Sequence, residues 1–214
     1  MKYFFIVIFW IATIIHLIAS SKKDTKLRNY SKPFIIPSLI GMYIFSTDHV
    51  LWSTIIALIF SWIGDLFLVG KGVKWFSIGG ISFMISHLFF IISYSYEIAF
   101  KEIDFLYFIA LFSFYLVFVT FIFNELKPFL PDKLLIPMFF YLSINGLMNC
   151  FSILRLYTNM NMPNFLTFVG ATLFFISDSI LFFVRFNKNS RFKTHFWVML
   201  TYSLAEFLIV FGLI

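Results

Sequence analysis

Long apolar runs recur along this chain with little polar sequence between them, which leaves it few ways to fold. A helix needs about 20 apolar residues to cross a bilayer. Eight such runs are read at 3–19, 33–47, 50–70, 75–96, 103–123, 134–153, 164–184 and 194–213. Of 214 residues, 61% are hydrophobic and 12% charged, where soluble domains carry roughly a quarter charged. The expected fold is all-α, a polytopic membrane helical bundle of about eight transmembrane helices forming one integral membrane domain over residues 1–214. The second run opens on Pro33 and Pro37, which are tolerated because early helical amides have no partner within the helix.

Charge sets the expected orientation. Lys22, Lys23, Lys26, Arg28, Lys32, Lys71, Lys74, Lys127, Lys133, Arg185, Lys188, Arg191 and Lys193 fall in the loops after the first, third, fifth and seventh runs. Only Lys2, Lys101 and Arg155 lie on the other side. Short loops rich in Lys and Arg stay in the cytoplasm, so both termini are expected outside it. The same rule argues that the first run is a retained helix, because a basic segment follows it at once. The net charge of +6 therefore suits a membrane surface rather than nucleic acid. The expected location is a bacterial plasma (inner) membrane or a eukaryotic endoplasmic reticulum membrane. The single cysteine, Cys150, excludes an intrachain disulfide and a cysteine-based metal cluster.

Against this background two acids stand out. Asp65 lies in Ser61-Trp-Ile-Gly-Asp65 and Asp178 in Ile176-Ser-Asp178, each after a small residue and each with a leucine three places on, Leu68 and Leu181. A carboxylate in hydrocarbon costs at least ~2.5–3.5 kcal/mol on insertion scales, and intramembrane acids are functional by default. Both are expected ~9–11 Å inside the cytoplasmic boundary, from the spacing to Lys71 and Arg185. Their places on the third and seventh runs suggest a four-plus-four parallel repeat.

Other polar groups are expected to line an interior. His87 and Glu206 lie near the midplane of the fourth and eighth runs. Gly80, His87 and Tyr94 recur every seventh residue. Thr54 and Ser61 share helical spacing with Asp65, and Tyr141, Asn145, Asn149 and Ser152 share one face. Tyr202 and Glu206, four apart, share another. Hydrogen-bond glue between helices accounts for many such groups. His87 with Glu206 suits a structural ion pair, and Gly79, Gly80 and Gly170 suit close helix approach rather than phosphate binding. The four histidines (16, 49, 87 and 195) are expected at different depths, which disfavours a histidine metal cage. No nucleophile elbow, zinc-helix motif or P-loop occurs, and neither metal nor cofactor is expected.

These residues carry a resemblance. The chain resembles the YhhN family of multi-pass membrane proteins, whose characterised members are lysoplasmalogenases. The matching pieces are Ser31-Lys32-Pro33, Ser61-Trp-Ile-Gly-Asp65 with Leu68, Gly79-Gly-Ile-Ser-Phe83 followed by His87, Gly170-Ala-Thr-Leu-Phe174, Ser177-Asp178 and Thr201-Tyr202. They extend from about 31 to 213. The family pattern places an amide (Gln) where this chain has Glu206, which adds a third acid or a salt bridge at that position.

The resemblance implies hydrolysis of the vinyl ether bond of a lysoplasmalogen, with Asp65 and Asp178 catalytic and a lysophospholipid as partner. Lys32, His87, Asn145, Tyr202 and Glu206 are the candidate substrate-binding residues, Lys32 toward the phosphate. The residue chemistry agrees: such a bond breaks by proton delivery to carbon followed by water attack on an oxocarbenium ion, and two acids divide that work. The same buried acids and repeated halves also suit a proton-coupled lipid or small-molecule transporter.

Overall fold

The computed structural model describes residues 1–187 and 195–214, and every regular element among them is helical. The elements are α1 (Lys2–Ser21), α2 (Thr25–Ser31), α3 (Ile35–Ile44), α4 (Trp52–Leu68), α5 (Val73–Ser95), α6 (Phe105–Leu126), α7 (Asp132–Thr158), α8 (Met162–Phe186) and α9 (Phe196–Gly212). All but α2 fall on the eight expected runs. Three of the basic residues used for orientation, Lys188, Arg191 and Lys193, lie outside the described residues.

The second run is built differently from its neighbours. The helix expected over 33–47 starts earlier, with α2, and continues through a 3-10 turn, Lys32–Phe34, into α3. Pro33 sits at the start of that turn. It has no N–H, and its ring crowds the carbonyl four residues back, so the α-helical ladder breaks there. Asp24 starts α2 by accepting from the Leu27 amide at 3.1 Å. The break leaves Lys32 buried, and its neighbour Pro33 accepts at its carbonyl from the Trp62 indole at 3.0 Å, which ties the turn to α4.

Two helix pairs dominate the packing, α4 with α5 and α8 with α9. In both, small residues let the backbones approach. A methyl on Gly79 would lie 3.2 Å from the Gly64 carbonyl, and one on Gly170 only 2.8 Å from the Ala205 carbonyl. Serine and threonine hydroxyls join α4 to α5, Thr54 and Ser53 to Ser93 and Ser61 to Ser86, at 2.8–3.0 Å. Ser177 does the same for α8 and α9, donating to the Val198 carbonyl. Without a hydrophobic drive between helices in lipid, such close packing and hydrogen bonding supply the association. Gly80 differs from the expectation for it: no atom lies within 4 Å of where its Cβ would stand.

The two halves share a packing order. In the first, α3 packs on α4 and α4 on α5; in the second, α7 packs on α8 and α8 on α9. Across the halves α5 meets α7, and α9 meets α3. Asp65 on α4 and Asp178 on α8 occupy corresponding helices of this arrangement. α4 turns into α5 at Gly72, whose φ of 100° suits glycine. The Arg185 guanidinium, at the end of α8, donates to the Gly72 carbonyl at 3.2 Å.

Five helical stretches, Lys2–Ser21, Val73–Ser95, Phe105–Phe129, Asp132–Thr158 and Met162–Phe186, are long and apolar enough to cross a membrane. Trp52–Leu68 and Phe196–Gly212 are shorter and also apolar. Large side chains such as Phe4, Val117, Phe121 and Ile136 remain more than 60% exposed. A surface so apolar fits lipid and would aggregate in water.

At the end opposite the basic loops, Arg155 closes the bundle. Its guanidinium grips Glu97 with two hydrogen bonds of 2.8 and 3.1 Å, and it also donates to the Thr167 hydroxyl and the Gly212 carbonyl. One side chain thereby links the end of α7 to α5, α8 and α9. Arg155→Met should destabilise the protein by about 1–3 kcal/mol, because it strands the Gly212 carbonyl and removes the cation from Glu97. Thermal unfolding in detergent checks this; an unchanged midpoint would show that the clamp adds nothing.

Candidate active site

Asp65 and Asp178 line the same cavity, of about 50 Å³, at the basic end of the bundle. Leu68 and Leu181, one turn beyond each acid, line it as well, as residues three apart on one helix face should. Both aspartates are almost fully buried. A volume of this size holds a few waters, each needing about 10–15 Å³.

The two carboxyls have different neighbours. Asp65 Oδ1 lies 3.0 Å from the Lys32 ammonium, and Oδ2 accepts from the Tyr202 hydroxyl at 2.9 Å. The ammonium comes from the 3-10 turn before α3 and the hydroxyl from α9. Asp178 Oδ2 accepts from the Tyr141 hydroxyl at 2.5 Å and from the Asn145 amide at 2.7 Å, both on α7. The imidazole Nε2 of His87, on α5, is 3.7 Å from the same oxygen. Asp178 Oδ1 has no hydrogen bond among the described residues. In packing order the neighbours correspond: each acid is met from its own half by the preceding helix or, for Asp65, the turn that leads into it, and from the other half by that half's last helix. Asn145 is itself held by Asn149, whose amide also reaches the Ala171 carbonyl on α8.

Of the residues read from the sequence, Lys32, Asp65, Asp178 and Tyr202 stand on the cavity wall. His87 and Asn145 stand behind Asp178, His87 against it and not against Glu206. Glu206 is buried one turn below Tyr202 and off the wall. The wall also carries His16, Arg28, Arg185 and His195. Two histidines expected at different depths, His16 and His195, thus reach the same cavity. Arg28 and Arg185 read in the sequence as topology signals only. Arg28 precedes Lys32 by four residues, the spacing that puts two side chains on one helix face; nothing local marks Arg185.

The rim is cationic. Lys32 is committed to Asp65. Among the described lining residues, Arg28 and Arg185 carry the positive charge that Asp65 does not take up. Among the described residues the buried Arg28 Nε has no hydrogen-bond partner, and the Arg185 guanidinium stacks 5.6 Å from the Phe76 ring. This grouping suits an anion at the mouth of a chamber that holds two carboxyls.

A family model described as the YhhN family matches residues 27–213, which include every residue of this cavity except His16. The chain belongs to the YhhN family. No curated protein and no solved structure matches it. The matched segment takes in both helix pairs, the Lys32 turn and the Arg155 clamp, so family membership covers the scaffold as well as the two acids.

Proposed function

We propose that this YhhN-family protein is a membrane hydrolase that cleaves the vinyl ether bond of a lysoplasmalogen. The products are a fatty aldehyde and a glycerophospho-ethanolamine or -choline. The observation that carries the reading is the pairing of two buried carboxyls in one small chamber, one beside an ammonium and one beside neutral donors. Family membership supports it, since characterised members are lysoplasmalogenases.

The environments divide the labour. Asp178 is the acid, with Oδ1 left clear of donors to carry the proton to the alkene carbon next to the hydrocarbon chain. Protonation there moves the positive charge onto the other alkene carbon and its ether oxygen. Asp65, held as a carboxylate by Lys32 and Tyr202, steadies that oxocarbenium ion and takes a proton from the attacking water. The hemiacetal then collapses: the C–O bond to glycerol breaks, the glycerol oxygen takes the proton held by Asp65, the hemiacetal hydroxyl returns its proton to Asp178, and aldehyde leaves. Paired carboxyls meet the oxocarbenium problem of glycoside hydrolysis in a related way. Arg28 and Arg185 at the rim face the phosphate, where a guanidinium binds oxygens bidentately.

Purified protein in detergent, with no gradient across any membrane, should release aldehyde with a bell-shaped pH dependence and slow in deuterium oxide, because carbon protonation limits the rate. Release that needs a reconstituted proton gradient would favour a transporter instead.

A further inference from the structure

The acid chamber, at about 50 Å³, has no room for the hydrocarbon of its substrate. A second cavity adjoins it. This is a groove of about 250 Å³ between α5 and α7, floored by Phe182 of α8. Phe76 lines both cavities. Tyr141 lines the groove with its ring and donates its hydroxyl to Asp178. The rest of the wall is mainly apolar, Ile81 and Met84 on α5 and Pro137, Met138 and Phe140 on α7, with Lys133 and Ser77 as polar residues. Ile81 and Phe140 are over half exposed, so the groove is open along its side to lipid.

We infer that this groove holds the alkenyl chain of the lysolipid, which slides in from the bilayer between α5 and α7 and presents its first double bond to Asp178. The inference rests on the proposed hydrolase function and extends it to a chain-binding site. Continuity selects the occupant: one end of the groove is the tyrosine bonded to the proton donor, and the only carbon the mechanism protonates is the alkene carbon joined to the chain. A chain in the groove puts that carbon on the Asp178 side and the ether oxygen, glycerol and phosphate toward Asp65 and the cationic rim. The groove's α5 wall, Phe76 to Met84, runs about 12 Å along the helix axis at 1.5 Å per residue. That is enough for the proximal part of a long chain, with the distal part left in lipid.

Gly80 gives a clean way to block the groove, because it lines it and has open space where its Cβ would be. Gly80→Trp sets a large side chain on the groove wall at a position where the Cβ itself meets no neighbour. The assay compares a butenyl lysoplasmalogen, whose chain barely enters the groove, with an octadecenyl one, whose chain fills it, and reads kcat/KM for each in wild type and Gly80→Trp. The ratio of long-chain to short-chain kcat/KM should fall at least tenfold, since each methylene that loses its apolar contact weakens binding about fourfold. An equal loss on both substrates, or no loss, overturns the inference while leaving hydrolysis itself intact.

A second measurement does not depend on turnover. An alkyl-ether lysolipid with a diazirine on its chain should photolabel Ile81, Met84 or Met138 in wild type and in Asp178→Asn, and not in Gly80→Trp. Labelling that follows this pattern, with no aldehyde released from the alkenyl substrate by wild type, would support the groove and refute the hydrolase. Labelling that a diacyl phospholipid competes away equally well would mark a bulk-lipid contact and overturn the inference.

Discussion

Asp178→Asn should lower kcat by about 10²–10⁴-fold, the range that general acid catalysis supplies. An amide has nearly the volume of the acid and keeps an oxygen for Tyr141 and Asn145 to donate to, so the fold should survive and only the transferable proton be lost. The variant should bind lysolipid with near-normal affinity, which separates a chemical loss from a structural one. Asp65→Asn should fall in the same range by a different route, because it removes the carboxylate that steadies the cation and activates water. The double variant should be little worse than either single one, as expected when two groups serve one transition state. A folded Asp178→Asn protein that keeps near-normal aldehyde release would end the assignment of the proton donor.

Lys32→Met should be the most destabilising change at the site. The ammonium is 3.0 Å from Asp65, and both side chains are nearly enclosed. Removing one partner of a buried ion pair typically costs about 3–5 kcal/mol, because the other charge is left without compensation. Asp65 would keep only the Tyr202 hydroxyl. Adding Asp65→Asn to Lys32→Met removes the stranded charge and should restore most of the stability without restoring activity. Lys32→Met therefore affects both Tm and turnover. A Lys32→Met protein with wild-type Tm would mean that the ion pair contributes little, and a double variant no more stable than the single would mean that the loss comes from elsewhere.

The bundle was legible in the sequence because membrane helices announce themselves by length and apolarity, and α6 and α8 lie close to where composition puts them. The broken second run was not, since α2 is short, charged and exposed, and only the geometry at Pro33 reveals that the helix continues through it. Asp65 and Asp178 were legible because a carboxyl in an apolar run carries a cost that few other residues match. Their partners were harder. Tyr202 lies 137 residues from Asp65, and nothing in either segment specifies that they meet. Arg28 and Arg185 were absorbed into the loop charge that orients a membrane protein, a signal that hides any second role of the same residues. Gly80 was read with Gly79 as a contact glycine; one step around the helix turns it from the α4 interface to the open groove. The expected ion pair of His87 with Glu206 is replaced by His87 against Asp178, a choice fixed by the rotation of α5 and not by residue type.

The most direct measurement of the central claim is aldehyde release from matched lysolipids by the purified protein. One substrate carries a 1-alkenyl ether, and the other the saturated 1-alkyl ether with the same chain and head group. Catalysis by carbon protonation requires the double bond. The alkenyl lipid should therefore yield a fatty aldehyde and the corresponding glycerophospho-alcohol in equal amounts, with the reaction lost in Asp178→Asn, while the alkyl lipid binds and remains intact. No aldehyde from the alkenyl lipid with folded wild-type protein, or release that persists undiminished in Asp178→Asn, would contradict the account.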